Sequence, residues 1–176
     1  MIIDVTYFIN EIVIQDLETS GSQTGAGAML AQGRNEAMNM FIAKYESEFL
    51  KKLLGKELAD AFRAGLKEDP ISEKWGKLKS LLIDEELKIS PIANYVYYWY
   101  KRNASSTSTS LGEVKANQSY ATNVSEANKM VRAYNEMCDQ IEEFHSLIVW
   151  LDYGDYYKGM TGYDELLGVR INTFNL

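Results

Sequence analysis

Apolar side chains recur every three or four positions along most of the chain, which is the spacing of an amphipathic α-helix. This spacing predicts helices over five segments, namely residues 33–54, 57–67, 72–82, 91–102 and 125–151. The fourth segment has a strong start signal, because Ser90 is a good N-cap and Pro91 is favoured in the first helical position. We therefore expect an all-α fold of about five helices, of which the C-terminal one is the longest.

The first residues of the chain follow a different period. Ile3, Val5, Tyr7 and Ile9 alternate with other residues, which predicts a half-buried strand. Residues 19–27 are polar and rich in glycine, as in a flexible tether. We therefore predict that residues 1–30 form an apolar arm on a tether, that the arm docks on its own body or on a neighbouring chain, and that these four apolar side chains lie in a protein interface.

Two later segments also interrupt the helical pattern. Residues 103–122 begin with a run of serine and threonine, which predicts a flexible loop. Beyond residue 151 glycines separate aromatic side chains, and residues 170–174 have the composition of a short strand. We thus divide the chain into an N-terminal arm and tether (1–30), a helical domain (31–151) and a C-terminal arm (152–176).

Tyrosine is concentrated in two places, the fourth predicted helix and the C-terminal arm. A helix that is aromatic on most of its faces is either buried centrally or partly covered by another subunit. Tyrosine is also typical of contacts that are partly wet and partly apolar, which favours the second alternative. On this basis the predicted interface residues are Tyr97, Tyr100, Tyr153, Tyr156, Tyr157, Tyr163 and Phe174.

Charge and composition exclude several classes of function. The chain has 18 basic and 25 acidic residues, a net charge of -7, and the net negative charge lies towards the two ends because most of the basic residues fall in residues 31–103. This distribution argues against a protein that wraps nucleic acid, because neutralising phosphates requires clustered lysine and arginine. No apolar run is long enough to cross a membrane, and the first residues do not resemble a signal peptide.

The sequence offers no set of residues whose types and spacing match a known kind of active site. One cysteine and one histidine exclude an internal disulfide and any site that needs two imidazoles from the same chain. Cys138 lies on the apolar stripe of the last helix, which indicates a small buried hydrophobe rather than a reactive thiolate. Glu142 and His145 have the spacing of a di-iron ligand pair, but such a site needs that pair twice. We therefore predict no enzymatic activity, no metal and no cofactor.

Several short motifs together carry a family resemblance. Residues 45–58 join two predicted helices through a Leu-Leu-Gly elbow at 53–55, and a helix with Trp75 follows. With the Ser-Pro helix start and the long helix after a Ser/Thr loop, this arrangement resembles the head-tail connector (adaptor) proteins of tailed bacteriophages. It is most similar to the versions carried by Bacteroides-type phages, and the resemblance covers roughly residues 35–150.

The resemblance implies an all-helical subunit of a closed homo-oligomeric ring of about a dozen copies. Such a ring lies in the virion neck, extends the DNA channel below the portal and provides the tail attachment surface. Its partners would be the portal protein, tail or stopper proteins, and double-stranded DNA that passes without specific binding, with no membrane. The protein would be made in the bacterial host cytoplasm. The alternative is a small cytoplasmic helical protein-binding or regulatory module that caps another protein through residues 95–100.

Overall fold

The computed structural model describes residues 1–14, 17, 26–104, 106–109, 112–115, 126–156 and 164–172. Over these residues the protein is all-α, which confirms the predicted fold class. The helices are α1 (Ala26–Leu54), α2 (Lys56–Gly65), α3 (Glu73–Leu82), α4 (Pro91–Ala104) and α5 (Glu126–Leu147). A small antiparallel hairpin of β1 (Ser106–Thr109) and β2 (Gly112–Lys115) lies between α4 and α5. Single 3-10 turns occur at Val5–Tyr7, Asn10–Ile12, Trp150–Tyr153 and Glu165–Gly168.

Helix α4 lies at the centre of the protein and runs antiparallel to α1. Its residues 91–98 are all buried. Tyr100, near its C-terminal end, contacts Phe41 of α1 with ring centroids 5.6 Å apart, while Tyr95 contacts Phe49 at 5.4 Å. Aromatic pairs in such tilted or edge-on arrangements contribute about 0.5–1.5 kcal/mol beyond the area that they bury. One side of the aromatic helix is therefore covered by the chain itself.

Helix α5 packs on another face of α4, also in the antiparallel sense. The rings of Tyr98 and Tyr134 meet edge to face with centroids 4.8 Å apart, and Asn94 Nδ2 donates to Gln140 Oε1 at 3.1 Å. The apolar stripe of α5 is buried, as the helical spacing predicts. Its members are Met130, Ala133, Met137, Cys138, Ile141 and Phe144, and the buried Ile148 follows the end of the helix. Thus α1 and α5 point the same way, and both pack on α4.

The Leu-Leu-Gly elbow joins α1 to α2 through a backbone conformation that favours glycine. Gly55 has a φ of 76°, in the left-handed region that other residues adopt at a cost. The tight reversal brings Phe62 of α2 against Trp75 of α3, with ring centroids 6.1 Å apart. At the end of α2, Gly65 lies directly against the Trp75 indole. Through these contacts α2 and α3 pack against each other at one end of the helical body.

The predicted strand at the N-terminus is wrong, since residues 5–7 and 10–12 form 3-10 turns. Asp4 caps the first turn, and its Oδ1 accepts the Thr6 backbone N–H at 2.8 Å. No strand among the described residues lies beside this segment, so local bonds such as Tyr7 N–H to Asp4 O satisfy its backbone. Burial does not follow the alternation either, because Phe8 is buried whereas Val5 and Ile9 are only half-buried.

Other element boundaries also differ from the prediction. Helix α1 begins at Ala26, inside the predicted tether, because residues 26–31 are dominated by the good helix formers alanine, methionine and leucine. It is therefore longer than α5, which ends at Leu147. In place of a loop throughout 103–122 the structure has the end of α4 and the hairpin, whose threonines and valine favour strands. Residues 170–172 form no strand.

The contact between α2 and α3 yields a test with a matched control. A methyl group at Gly65 would overlap the Trp75 indole, so Gly65→Ala should lower the free energy of unfolding by about 1–3 kcal/mol. Gly76, also helical, has open space around it, and Gly76→Ala should be neutral or stabilising by roughly 0.5–1 kcal/mol. Urea unfolding followed by circular dichroism measures both. Equal effects of the two substitutions would contradict this packing.

Candidate functional site: the docked terminal segments

Both ends of the chain are short segments that dock on the helical body, and the N-terminal one is held by a buried carboxylate. Glu46 of α1 is 1% exposed and accepts the backbone N–H groups of Ile2 at 2.7 Å and Ile3 at 3.2 Å. Hydrogen bonds to an ionised group are roughly twice as strong as neutral ones, and a buried carboxylate without partners is strongly destabilising. Glu46 therefore fixes the first residues of the chain against the middle of α1.

The apolar side chains of residues 1–14 complete the same docking. Ile3, Tyr7, Phe8 and Ile14 are buried in the common core of the protein. Of the four N-terminal residues predicted to lie in an interface, Ile3 and Tyr7 thus belong to the chain's own core. Val5 and Ile9 are half-buried. The sequence left open whether this segment docks on its own body or on a neighbouring chain. In the structure residues 1–14 dock on their own body.

The C-terminal arm begins with an aromatic cluster on α3. The rings of Tyr153 and Tyr156 lie 6.1 Å and 5.7 Å from Trp75 between centroids. Lys74 Nζ lies over Trp75 at 4.4 Å and over Tyr156 at 4.8 Å, and the Tyr153 hydroxyl donates to the Lys74 carbonyl at 3.2 Å. A cation over an aromatic face contributes about 0.5–2 kcal/mol. This cluster holds the chain after α5 against α3.

The other tyrosine positions predicted from the sequence divide into three groups. Tyr153 and Tyr97, which the sequence predicts in a protein interface, are buried in the chain's own core. Tyr156 and Tyr100 are half-buried and pack against the core. Tyr157, Tyr163 and Phe174 lie outside the described residues.

Residues 164–172, which we name the C-terminal strap, lie along α5 and are held by an arginine clamp. Arg170 binds Glu142 through two parallel contacts, Nη1 to Oε1 at 2.9 Å and Nη2 to Oε2 at 3.1 Å. Its Nε also donates to Asp139 Oδ1 at 3.1 Å. Because the fork of the guanidinium matches a carboxylate, such a pair fixes orientation as well as position. The clamp sets the register of the strap on α5.

Backbone hydrogen bonds support the clamp at both ends of the strap. The Asn135 side chain accepts the Ile171 N–H at 2.9 Å and donates to the Ile171 carbonyl at 3.0 Å, as a neighbouring strand would do. At the start of the strap, the Asp164 N–H donates to the carbonyl of Lys52 in α1 at 2.9 Å. The strap thus bridges α1 and α5.

The centre of the strap covers the cysteine. Leu167 is buried, and its carbonyl lies 3.8 Å from the Cys138 sulfur. Burial raises the pKa of the Cys138 thiol to about 11, so the thiol stays protonated at neutral pH. The prediction that Cys138 is a small buried hydrophobe is confirmed.

A polar triad at the joint of α1 and α4 escaped the sequence analysis. The Tyr95 hydroxyl donates to Glu48 Oε1 at 2.8 Å, and Lys52 Nζ lies 3.2 Å from the same hydroxyl and 3.0 Å from Glu48. Burial and then the bond to Glu48 raise the Tyr95 pKa. Burial acts to raise the pKa of Glu48, but the bonds from Tyr95 and Lys52 outweigh it and lower that pKa. The triad thereby satisfies the hydroxyl of an aromatic core residue.

The anchoring residues Glu46, Asn135, Asp139, Glu142 and Arg170 were also missed as functional candidates. In the sequence they resemble ordinary charged or polar positions of helices and of a tail, because their partners lie far away along the chain. The only available signal was a lone arginine in the last residues of an acidic C-terminal region. The site as a whole offers the chemistry of docking, namely hydrogen bonds, an ion-pair clamp and cation–π contacts.

Among the described residues no group of three or more histidine, cysteine, aspartate or glutamate side chains is placed to hold a metal ion. None of the described helices combines the length and the apolar character that a membrane crossing requires. Comparison of the chain with protein-family models, with curated proteins and with solved structures finds no match in any of the three.

The buried carboxylate predicts a selective effect of Glu46→Gln. The amide keeps the shape but removes the charge from both hydrogen bonds, so the free energy of unfolding should fall by about 1.5–3 kcal/mol. Glu36 is exposed on the same helix, and Glu36→Gln should change stability by less than about 0.5 kcal/mol. Urea unfolding measures both variants. A loss of stability no larger than that of the control would show that the carboxylate does not hold the N-terminus.

The packing of α5 on α4 predicts a loss of stability in alkali. Burial raises the pKa of Tyr134 to about 12, whereas the unfolded chain titrates with the ordinary value of 10.0. Between these two values the unfolded state has lost the proton and the folded state has not, so stability falls as the pH rises from about 10 to about 12. Tyr134→Phe should make that fall shallower. Urea unfolding at pH 8 to 12 measures it, and identical slopes would contradict the burial of this hydroxyl.

Proposed function

We propose that the chain is a non-catalytic structural subunit of the neck of a tailed bacteriophage. In this proposal copies of it form a head-tail connector ring below the portal, extend the DNA channel and provide the surface to which the tail attaches. The resemblance over residues 35–150 is the first support. The observation that carries the proposal furthest is that both chain ends dock, as separate segments with specific anchors, on the outside of one helical body.

Exposed apolar side chains on the docked segments support self-assembly. Leu166 and Val169 of the C-terminal strap are 74% and 53% exposed, and Leu147 and Val149 are exposed at the end of α5. A ring is built from a head-to-tail contact in which one face of a subunit meets a different face of the next. Apolar side chains held on a rigid support, with charged neighbours, are suited to such a contact.

The charge distribution supports the proposed relation to DNA. Residues 126–176 contain nine acids and four bases, a net charge of -5, and Glu136, Asp139, Glu142 and Glu143 are exposed on α5. An acidic surface repels phosphates instead of neutralising them. A neck protein with such a surface lets DNA pass without holding it.

The alternative of a regulatory module gains no support. That module would cap its partner with the aromatic helix, yet Tyr95, Tyr97 and Tyr98 are buried within the chain. The aromatic side chains that the regulatory module would offer to a partner are already covered by other residues of the same chain. We therefore retain the connector as the proposed function.

Assembly on the portal tests the proposal directly. The protein should be co-expressed with the portal protein encoded in the same genome, and the products separated by size and imaged by negative-stain electron microscopy. We expect a ring of this protein bound to the portal ring. Because such rings can require their partner, the protein alone is a parallel sample. A protein that stays monomeric in both samples would contradict the proposal.

The exposed leucine of the strap gives a mutational test of the same proposal. Leu166→Glu should reduce ring formation by at least about tenfold, equivalent to about 1.4 kcal/mol, because it places a charge in an apolar contact. Ile71, exposed before α3 and distant in sequence from the strap, provides the control Ile71→Glu. Both variants should keep their helical circular dichroism signal. Assembly unaffected by Leu166→Glu would remove this side chain from the interface.

A further inference from the structure

We infer that the C-terminal strap is exchanged between copies, so that in the ring the strap of one subunit docks on α5 of the next. The receptor is the site that the strap fills on its own chain, formed by Asn135, Asp139 and Glu142 with Cys138 beneath. The inference rests on the proposed function, because it requires an assembly. It goes further by naming the segment that links the subunits and the surface that receives it.

The first argument is that the receptor surface is complementary to this strap in particular. Arg170 contacts both Asp139 and Glu142, and the backbone of Ile171 makes a reciprocal pair of hydrogen bonds with Asn135. A strap from a second copy has the same sequence and makes the same bonds. Exchange of an identical element between protomers therefore needs no new contacts, which is why it is an economical route to oligomers.

The second argument is that the strap is separable from the body that it covers. Of its described side chains only Leu167 is buried, while Leu166 and Val169 face solvent and Arg170 is half-exposed. The N-terminal segment differs, because it buries four large apolar side chains and contacts the buried Glu46. A segment with one buried anchor and a surface clamp can leave its site while the helices stay folded.

The third argument is the length of chain between Tyr156 and the C-terminal strap. Seven residues, which include Gly159 and Gly162, separate Tyr156 from the strap in the sequence. A chain of that length spans up to roughly 25 Å when extended. Exchange therefore requires that the receptor on the adjacent subunit lie within this distance of Tyr156, while Tyr153 and Tyr156 remain on α3.

A pair of complementary charge variants tests exchange directly. The strap variant carries Arg170→Glu, and the receptor variant carries Asp139→Lys with Glu142→Lys. Within either variant strap and receptor have like charges, both in the same chain and between identical copies. In a mixture of the two, the altered strap meets the altered receptor and the natural strap meets the natural receptor, but only between different chains. Attraction is restored if, and only if, the strap binds in trans.

We expect each variant alone to lose ring formation on the portal by at least tenfold, and the equimolar mixture to recover it. Combining all three substitutions in one chain should also recover assembly, and circular dichroism checks that each variant is folded. Glu143→Lys, an exposed charge reversal beside the clamp, should assemble normally as the control.

The possible outcomes separate this inference from the proposed function. If the three-substitution chain assembles while the mixture does not, the strap binds within its own subunit and the inference is overturned. If the single variants assemble as well as the natural chain, the clamp does not link subunits, and the inference is again overturned. In both cases the ring itself survives. If the natural chain forms no ring with the portal, the proposed function fails, and the exchange fails with it.

Discussion

The architecture depends on one constraint, the need to bury a helix that is aromatic on nearly all of its faces. α4 presents tyrosine or tryptophan in almost every direction, and water tolerates few of them. Helices α1 and α5 both pack on it, through aromatic contacts and through hydrogen bonds such as those of Tyr95 to Glu48 and of Asn94 to Gln140. The chain ends then dock on the outside of this three-helix arrangement.

Apart from α4, the helices were largely predictable, because each of them buries one stripe of apolar residues whose spacing is visible in the local sequence. The local sequence does not show which other part of the protein packs on a given stripe. The aromatic spacing of α4 fits a central helix and a subunit contact equally well, and only the positions of Phe49 and Tyr134 decide for the first. The alternation of Ile3, Val5 and Tyr7 likewise indicated that the segment packs on an apolar surface, but not that its backbone forms 3-10 turns. Glu46 could not be recognised, since its partners are backbone amides more than 40 residues away.

The two ends of the chain use opposite physical means of attachment. The N-terminal segment combines a water-excluded carboxylate with apolar burial, and such contacts are little affected by salt. The strap relies on an exposed ion-pair cluster around Arg170, which dissolved ions screen over roughly 10 Å at 0.1 M ionic strength. The N-terminal segment therefore behaves as part of the core, whereas the attachment of the C-terminal strap weakens as the ionic strength rises.

The location of Cys138 beneath Leu167 has a practical consequence. It is the sole cysteine of the chain, it has no solvent exposure, and its sulfur lies against the strap. A thiol-specific reagent reaches it only during the moments when the segment above it lifts. The rate of labelling in the native protein, divided by the rate in denatured protein, gives the fraction of time for which the strap is lifted. Cys138 therefore provides a direct measure of this motion.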